Sequence, residues 1–183
     1  MSKKLDTGIK NVRNVSRYTI GNGSINELPQ LIATQRQKKR QNILFLLDEF
    51  FQDKEGVLSL LGCEKGDELV FVLTQDEPST DYINGILSTL QEKGVTEPAA
   101  VVGMGGGTTM DVAKAISNLL SNGGKAEDYQ GWDLVKKPGI YKIAIPTLSG
   151  TGAEATRTCV MTNKKTGLKL GMNSDFTVYD QLI

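Results

Sequence analysis

The stretch Gly103-Met104-Gly105-Gly106-Gly107-Thr108-Thr109-Met110-Asp111 lies between two segments of different periodicity. Ahead of it, Ala99-Ala100-Val101-Val102 is small and β-branched and reads as a buried strand. Behind it, Val112, Ala115, Ile116, Leu119 and Leu120 recur at i, i+3, i+4, i+7 and i+8, the spacing of an amphipathic helix. The glycines therefore join a strand to a helix. Lacking Cβ atoms, they let the backbone turn sharply and let a bound group approach its N–H donors. A helix opening at Thr108 or Thr109 would add unpaired amides and the positive end of its dipole. The expectation is a cradle for the pyrophosphate of a dinucleotide, held by main-chain donors of Gly105, Gly106, Gly107 and Thr108. A plainer account stays open: the glycines only turn the chain, and Thr108 with Asp111 forms a variant capping box. The pattern is neither G-x-G-x-x-G nor a P-loop. Its first following lysine, Lys114, stands a turn into the helix, which argues against a Walker-type triphosphatase.

A second segment has the same form. Tyr141 to Ile145 reads as a strand and runs into Pro146-Thr147-Leu148-Ser149-Gly150-Thr151-Gly152-Ala153-Glu154-Ala155-Thr156, a small-residue loop rich in hydroxyls. Ligands of open α/β sheets collect outside the carboxyl ends of the strands. The alternative is a helix start that Ser149 or Thr151 caps. Upstream, Asp48 ends the apolar run Ile43 to Leu47. A carboxylate there can accept the ribose hydroxyls of NAD and repel the extra phosphate of NADP. It reads equally as a solvated turn acid beside Glu49.

The remaining elements alternate. A strand is predicted from Val15 to Ile20, then a helix to about Gln37 opened by a Ser24/Glu27 capping box. A helix over Lys54 to Leu61, a strand over Glu68 to Leu73 and a helix opened by Pro78-Ser79-Thr80 follow. Ile83, Ile86, Leu87 and Leu90 share the buried face of that last helix, and Gly94 stops it. Asn122-Gly123-Gly124 ends the helix after the glycines, and a surface loop carries Trp132. Thr158 to Thr162 and Leu168 to Met172 flank a five-residue hairpin connection ending at Gly167. This is an α/β, Rossmann-like, mainly parallel sheet flanked by helices, with a short β-hairpin near the C-terminal end.

Length and composition agree with one ordinary domain. The 183 residues are 39% hydrophobic and 23% charged, near globular averages. Twenty-one basic and twenty-one acidic residues cancel, so no field favours nucleic acid or a membrane surface. The basic run Arg36 to Arg40 reads as the solvated end of a helix. Cys63 and Cys159 lack C-x-x-C partners and read as buried thiols in a reducing cytoplasm. The polar N-terminus has no apolar targeting core, and no eighteen apolar residues run together, so a cytoplasmic location is expected.

These motifs carry a family resemblance. Gly105 to Ala115 resembles the GGGS-x-x-D-x-AK signature of the iron-containing (group III) alcohol dehydrogenases, and Ile145 to Thr156 resembles their IPTTxGTGSEVT segment. Arg17 to Gly23 matches the family's opening strand and glycine turn, Asn42 to Asp48 its ribose-facing strand, and Lys169-Leu170-Gly171 its K-x-G hairpin. The resemblance implies an NAD-linked, metal-dependent oxidoreductase acting on a small-molecule alcohol or sugar, assembled as a homodimer. It implies that Thr147, Thr151 and Thr156 line the nicotinamide side and that Lys169 lies near the nicotinamide ribose. Asp111 would cap the helix or meet a ribose hydroxyl, and Leu148 replaces a common second threonine. The family's divalent metal, iron or zinc, implies one aspartate and three histidines in a helical second domain. This sequence contains no histidine, so residues 1–183 are expected to be the dinucleotide-binding domain alone, without catalytic or metal residues. Asp128 to Trp132 and Arg157-Thr158-Cys159 are similar to a branch that oxidises the terminal hydroxyl of a 3-deoxy-octulosonate in lipopolysaccharide sugar synthesis. Two other readings stay open: a relative of dehydroquinate synthase or glycerol-phosphate dehydrogenase, or a non-catalytic dinucleotide-binding module.

Overall fold

A computed structural model describes residues 14–39 and 41–183. The polar first dozen residues and Arg40 of the basic run lie outside that description. The strands are β1 (Arg17–Tyr18), β2 (Ile43–Asp48), β3 (Glu68–Val72), β4 (Ala100–Gly105), β5 (Gly131–Trp132), β6 (Lys142–Pro146), β7 (Thr158–Asn163), β8 (Leu168–Asn173) and β9 (Gln181–Leu182). The α-helices are α1 (Leu28–Lys39), α2 (Glu55–Leu58), α3 (Thr80–Glu92) and α4 (Gly107–Asn122). Six strands form one sheet in the order β1-β9-β6-β4-β2-β3, every neighbouring pair parallel.

The strands at the centre explain the two-layer cover. Ile43, Phe45 and Leu47 of β2 pack with Leu28 and Ile32 of α1. Leu44 and Leu46 point the other way, toward α3 and α4. All five are fully buried, so β2 must be apolar on both faces, as a strand inside a covered parallel sheet requires. Each such side chain contributes about 1.5–3 kcal/mol when buried. On β4, Gly103 lets α4 come close: a Cβ there would lie 2.8 Å from Ala113 Cβ and 2.9 Å from the Tyr179 hydroxyl. Tyr179, itself buried, donates to the Met110 carbonyl at 2.8 Å. Gly103 thus sets how α4 packs on the sheet.

The order of strands also locates a crevice. From β2 the chain moves to β3 on one side, then returns to place β4 and later β6 on the other. The crossover direction reverses between β2 and β4, where an open α/β sheet leaves room for ligands at its strand ends. Asp48 ends β2 and Gly105 ends β4.

A smaller sheet, β5-β8-β7, stands beside the large one, with β7 and β8 antiparallel and β5 parallel to β8. The hairpin is the predicted one, but β7 extends through Asn163, so only residues 164–167 connect its strands. The third strand, with Trp132, had no sequence signal because it is two residues long.

Several local expectations change. The first strand shrinks to Arg17–Tyr18. Ser24 and Glu27 make no capping box: Gly23 occupies the N-cap in a left-handed conformation, and residues Ser24–Glu27 form a 3-10 turn. The helix over 54–61 breaks into α2 and a 3-10 turn that ends at left-handed Gly62. The helix after the glycines opens at Gly107, not at Thr108 or Thr109. Arg36 is more than a solvated helix end. Its guanidinium pairs with Asp67, whose carboxylate also accepts the Ile43 and Glu64 amides at 2.9 and 2.8 Å. Cys63 is exposed while Cys159 is buried. Among the described residues, no helix is long and apolar enough to cross a membrane.

Candidate dinucleotide-binding cleft

The glycine run is confined on three sides. A Cβ at Gly105 would stand 2.6 Å from Thr109 Oγ1 and 2.9 Å from Asp48 Cβ. One at Gly106 would meet Leu148 Cδ1 at 3.0 Å, and one at Gly107 would meet Thr151 Cγ2 at 3.0 Å. At Gly105 the neighbours demand glycine; at Gly106 and Gly107 the neighbouring side chains would have to give by a few tenths of an ångström to admit a Cβ. Gly106 is the N-cap of α4 with no side-chain cap, and its carbonyl accepts the Met110 amide at 3.0 Å. The amides of Gly107, Thr108 and Thr109 precede that bond and have no partner within the helix. Neither capping alternative read from the sequence is realised, since no helix follows the second loop either.

A cleft of about 260 Å³ opens beside this helix end. Gly107, Thr108, Asp111, Thr151, Thr156 and Lys169 line it together, so six of the ten predicted cofactor residues converge. Gly105 and Gly106 are buried behind them, Gly106 beneath the exposed side chain of Leu148. Asp48 lies outside this cleft, across Gly105 at the β2/β4 reversal. Its Oδ1 accepts the Phe50 amide at 3.0 Å and faces the Thr74 hydroxyl at 3.4 Å. Thr147 also lies outside; it is exposed, and its amide ties the second loop to the Gly105 carbonyl at 3.0 Å.

Asp111 does not cap the helix. Its Oδ2 accepts the amide of Val160 at 3.0 Å, joining α4 to β7 across the cleft. Burial pushes its carboxyl up to about 6, and the Val160 amide, Lys114 and Lys169 only partly offset that. Lys169 crosses from the hairpin to pair with Glu77, just before α3. Glu77 and Pro78 line the cleft as well; no motif pointed to them, because they sit far along the chain from either loop. Thr109 was missed for another reason: its hydroxyl is fully buried and lacks a hydrogen-bond partner, which only packing reveals.

Lys114 is the other residue whose role the spacing hid. It is fully buried. Its ammonium donates to the carbonyls of Ala153, Thr156 and Thr158, the last two at 2.8 and 2.9 Å, and meets Thr156 Oγ1 at 3.2 Å. It points under the second loop.

The sequence matches the family described as iron-containing alcohol dehydrogenase over residues 15–183. This chain belongs to that family. Among curated family relatives, it is similar to a sulfoacetaldehyde reductase of Bilophila wadsworthia, 38% identical over 62% of this chain and 29% of that protein. It is also similar to an NAD-dependent methanol dehydrogenase of Bacillus methanolicus, 30% identical over 82% of this chain and 39% of that protein. In fold it resembles a 1,3-propanediol oxidoreductase, with a TM-score of 0.80 at 20% identity, over 96% of this chain and 45% of that one. A sulfoacetaldehyde reductase from Bifidobacterium kashiwanohense, solved in complex with NAD+, aligns with a TM-score of 0.75 at 24% identity, over 95% of this chain and 45% of that one. The chain thus spans less than half the length of each of these alcohol dehydrogenase relatives.

The residues present fit one of the family's two groups. The crowded glycine turn and the free first-turn amides of Gly107 and Thr108, which line the cleft, suit a dinucleotide. Iron is different. The sequence has no histidine, and among the described residues no three His, Cys, Asp or Glu side chains gather to hold a metal. These residues do not fit the ion, and no step is assigned to it.

Proposed function

We propose that this chain is the NAD-binding part of an alcohol or aldehyde oxidoreductase. The observation that carries the reading is the crowded glycine turn at Gly105–Gly107, which opens α4 so that Gly107 and Thr108, with first-turn amides unpaired in the helix, line a cleft. Main-chain donors at Gly107 and Thr108 would take the pyrophosphate, favoured by the α4 dipole. Asp48 would accept the adenosine ribose at the β2/β4 reversal and disfavour NADP. Thr151, Thr156 and Lys169 would orient the nicotinamide end, and Thr147 would hold the second loop against β4. When bound, NAD supplies the two-electron hydride acceptor. The chain's own residues bind and orient it; none is placed as a general base.

For the substrate, we place a primary alcohol of a sugar or polyol, with the terminal hydroxyl of a 3-deoxy-octulosonate as its narrowest form. The support is that the two segments resembling the sugar-directed branch meet in space. The Arg157 guanidinium lies over the Trp132 ring at 5.9 Å and pairs with Asp133 and Asp175. Trp132 is 71% exposed, leaving an aromatic face beside a charged donor. Such an exposed ring suits stacking against a sugar, while the Arg157 charge is already answered by the two aspartates.

Titration of the chain with NADH, followed by cofactor fluorescence, tests the first reading. Saturable binding displaced by ADP-ribose is expected; absence of binding overturns it. Assay of the intact gene product with sugar acids against simple alcohols tests the second, and equal turnover of ethanol and the sugar acid would remove it.

A further inference from the structure

We propose that Lys114 is a positioning residue that shapes the cofactor cleft from below, by clamping the loop between β6 and β7 onto α4. The inference rests on the NAD-binding reading for its consequence, but its geometry stands apart from any ligand. The loop 147–157 has no regular structure of its own. Its inner carbonyls at Ala153 and Thr156, together with that of Thr158 at the start of β7, converge on one ammonium. An ammonium has three donors to offer three carbonyls; a neutral amine has two and turns a lone pair toward the third. Loss of the proton therefore loosens the clamp. Thr151 and Thr156, which line the cleft, sit on the clamped segment.

The surroundings put that proton within experimental reach. Burial lowers the Lys114 ammonium to about 8; the Asp111 and Glu154 carboxylates resist that shift, Lys142 adds to it, and the Cys159 thiol, itself pushed up by burial, is uncharged there. Asp111 faces it from the preceding turn of α4, Cys159 from β7, Lys142 from β6 and Glu154 from the loop itself. The Tyr179 ring lies 5.5 Å away, and burial holds its phenol protonated far above the ordinary range.

The sign of the effect separates positioning from mere stability. Between about 8 and the ordinary lysine value, the unfolded chain holds a proton that the folded one has lost, so this group makes folding more favourable as pH rises. The clamp weakens over the same interval. Melting temperature and cleft order should therefore move in opposite directions through Lys114.

Two measurements test this. The single tryptophan, Trp132, lies against Arg157, the last residue of the loop, and reports the loop without ligand. In the ligand-free wild-type chain, its emission should show a transition centred near 8, and Lys114→Met should abolish that transition. In parallel, the dissociation constant for NADH should rise about tenfold between about pH 7 and about pH 9.5 in the wild type, the equivalent of one lost hydrogen bond. In Lys114→Met it should be about tenfold weaker at pH 7 and independent of pH over that range. A tryptophan transition that persists in Lys114→Met, or is absent from the wild type, overturns the proposal. Failure of NADH to bind at any pH while the transition behaves as expected overturns the NAD reading instead and leaves the clamp standing.

Discussion

The two loops that meet at the cleft are built on opposite principles. The glycine loop, residues 105–108, has no charged side chain and takes its shape from what is missing: each glycine sits where a Cβ would strike Thr109, Asp48, Leu148 or Thr151. The loop 147–157 carries side chains at all but Gly150 and Gly152, and its inner carbonyls are held by one lysine from another element. The first loop is confined by its neighbours, most tightly at Gly105. The second is ordered by a buried charge, and a buried charge responds to pH. One cleft thus has a fixed wall and an adjustable one.

The strongest way to break this contrast is to add bulk to the fixed wall. Gly105→Val would drive a branched side chain into Thr109 and Asp48, within 2.6 and 2.9 Å even for its first atom. The expected result is a loss of about 1–3 kcal/mol of stability, read by denaturant titration, together with at least about a hundredfold weaker NADH binding. Near-normal affinity would show that the glycines only turn the chain.

A second test asks whether the fixed wall extends to Asp48. Asp48→Ala should shift the NADH-to-NADPH affinity ratio by about tenfold toward NADPH, read by parallel titrations. An unchanged ratio would return Asp48 to the role of a turn acid that accepts the Phe50 amide.

Asp111 bridges the two walls, and its titration sharpens the comparison. Its folded value of about 6 lies above the ordinary 3.8, so the folded chain binds the extra proton in between. Stability contributed by this group therefore falls as pH rises from about 4 to 6 and stays reduced above that. Asp111→Asn keeps an acceptor for the Val160 amide and removes the buried charge. It should flatten the melting-temperature profile over that window and add on the order of 1 kcal/mol at pH 7. A profile as steep as the wild type would assign the slope to other carboxylates.

The smallest effect is expected at Leu148, which covers Gly106 from the adjustable loop with its side chain 66% exposed. Leu148→Thr should change NADH affinity by less than about threefold, since little apolar area is given up. A larger change would mean that this cover, and not the clamp, sets access to the glycines.

Much of this was legible before any coordinates. The strand, glycine and helix order around 103–111 is local chemistry, and it placed Gly107, Thr108 and Asp111 on the cleft. The buried face of α3 and its stop at Gly94 followed from periodicity and from the left-handed turn, with φ 76°. The departures have two causes. The Ser24/Glu27 pairing met the sequence rule for a capping box, but Gly23 and a 3-10 turn satisfied the backbone another way. Lys38 and Lys39 of the basic run are solvated as expected, and only Arg36 departs, because Asp67 stands thirty-one residues beyond it, where no local pattern points.

What the sequence determined alone is therefore whatever depends on neighbours along the chain: periodicity, the absence of side chains at 105–107, and a composition with no histidine to offer a metal. Tertiary structure decided what depends on partners from other elements. It brought Glu77 against Lys169, set Tyr179 over the helix start, and turned Lys114 under a loop some forty residues away. The reason is physical. A steric demand is written at the residue that makes it, whereas the meaning of a charge or a hydroxyl is fixed by the atom it finally meets.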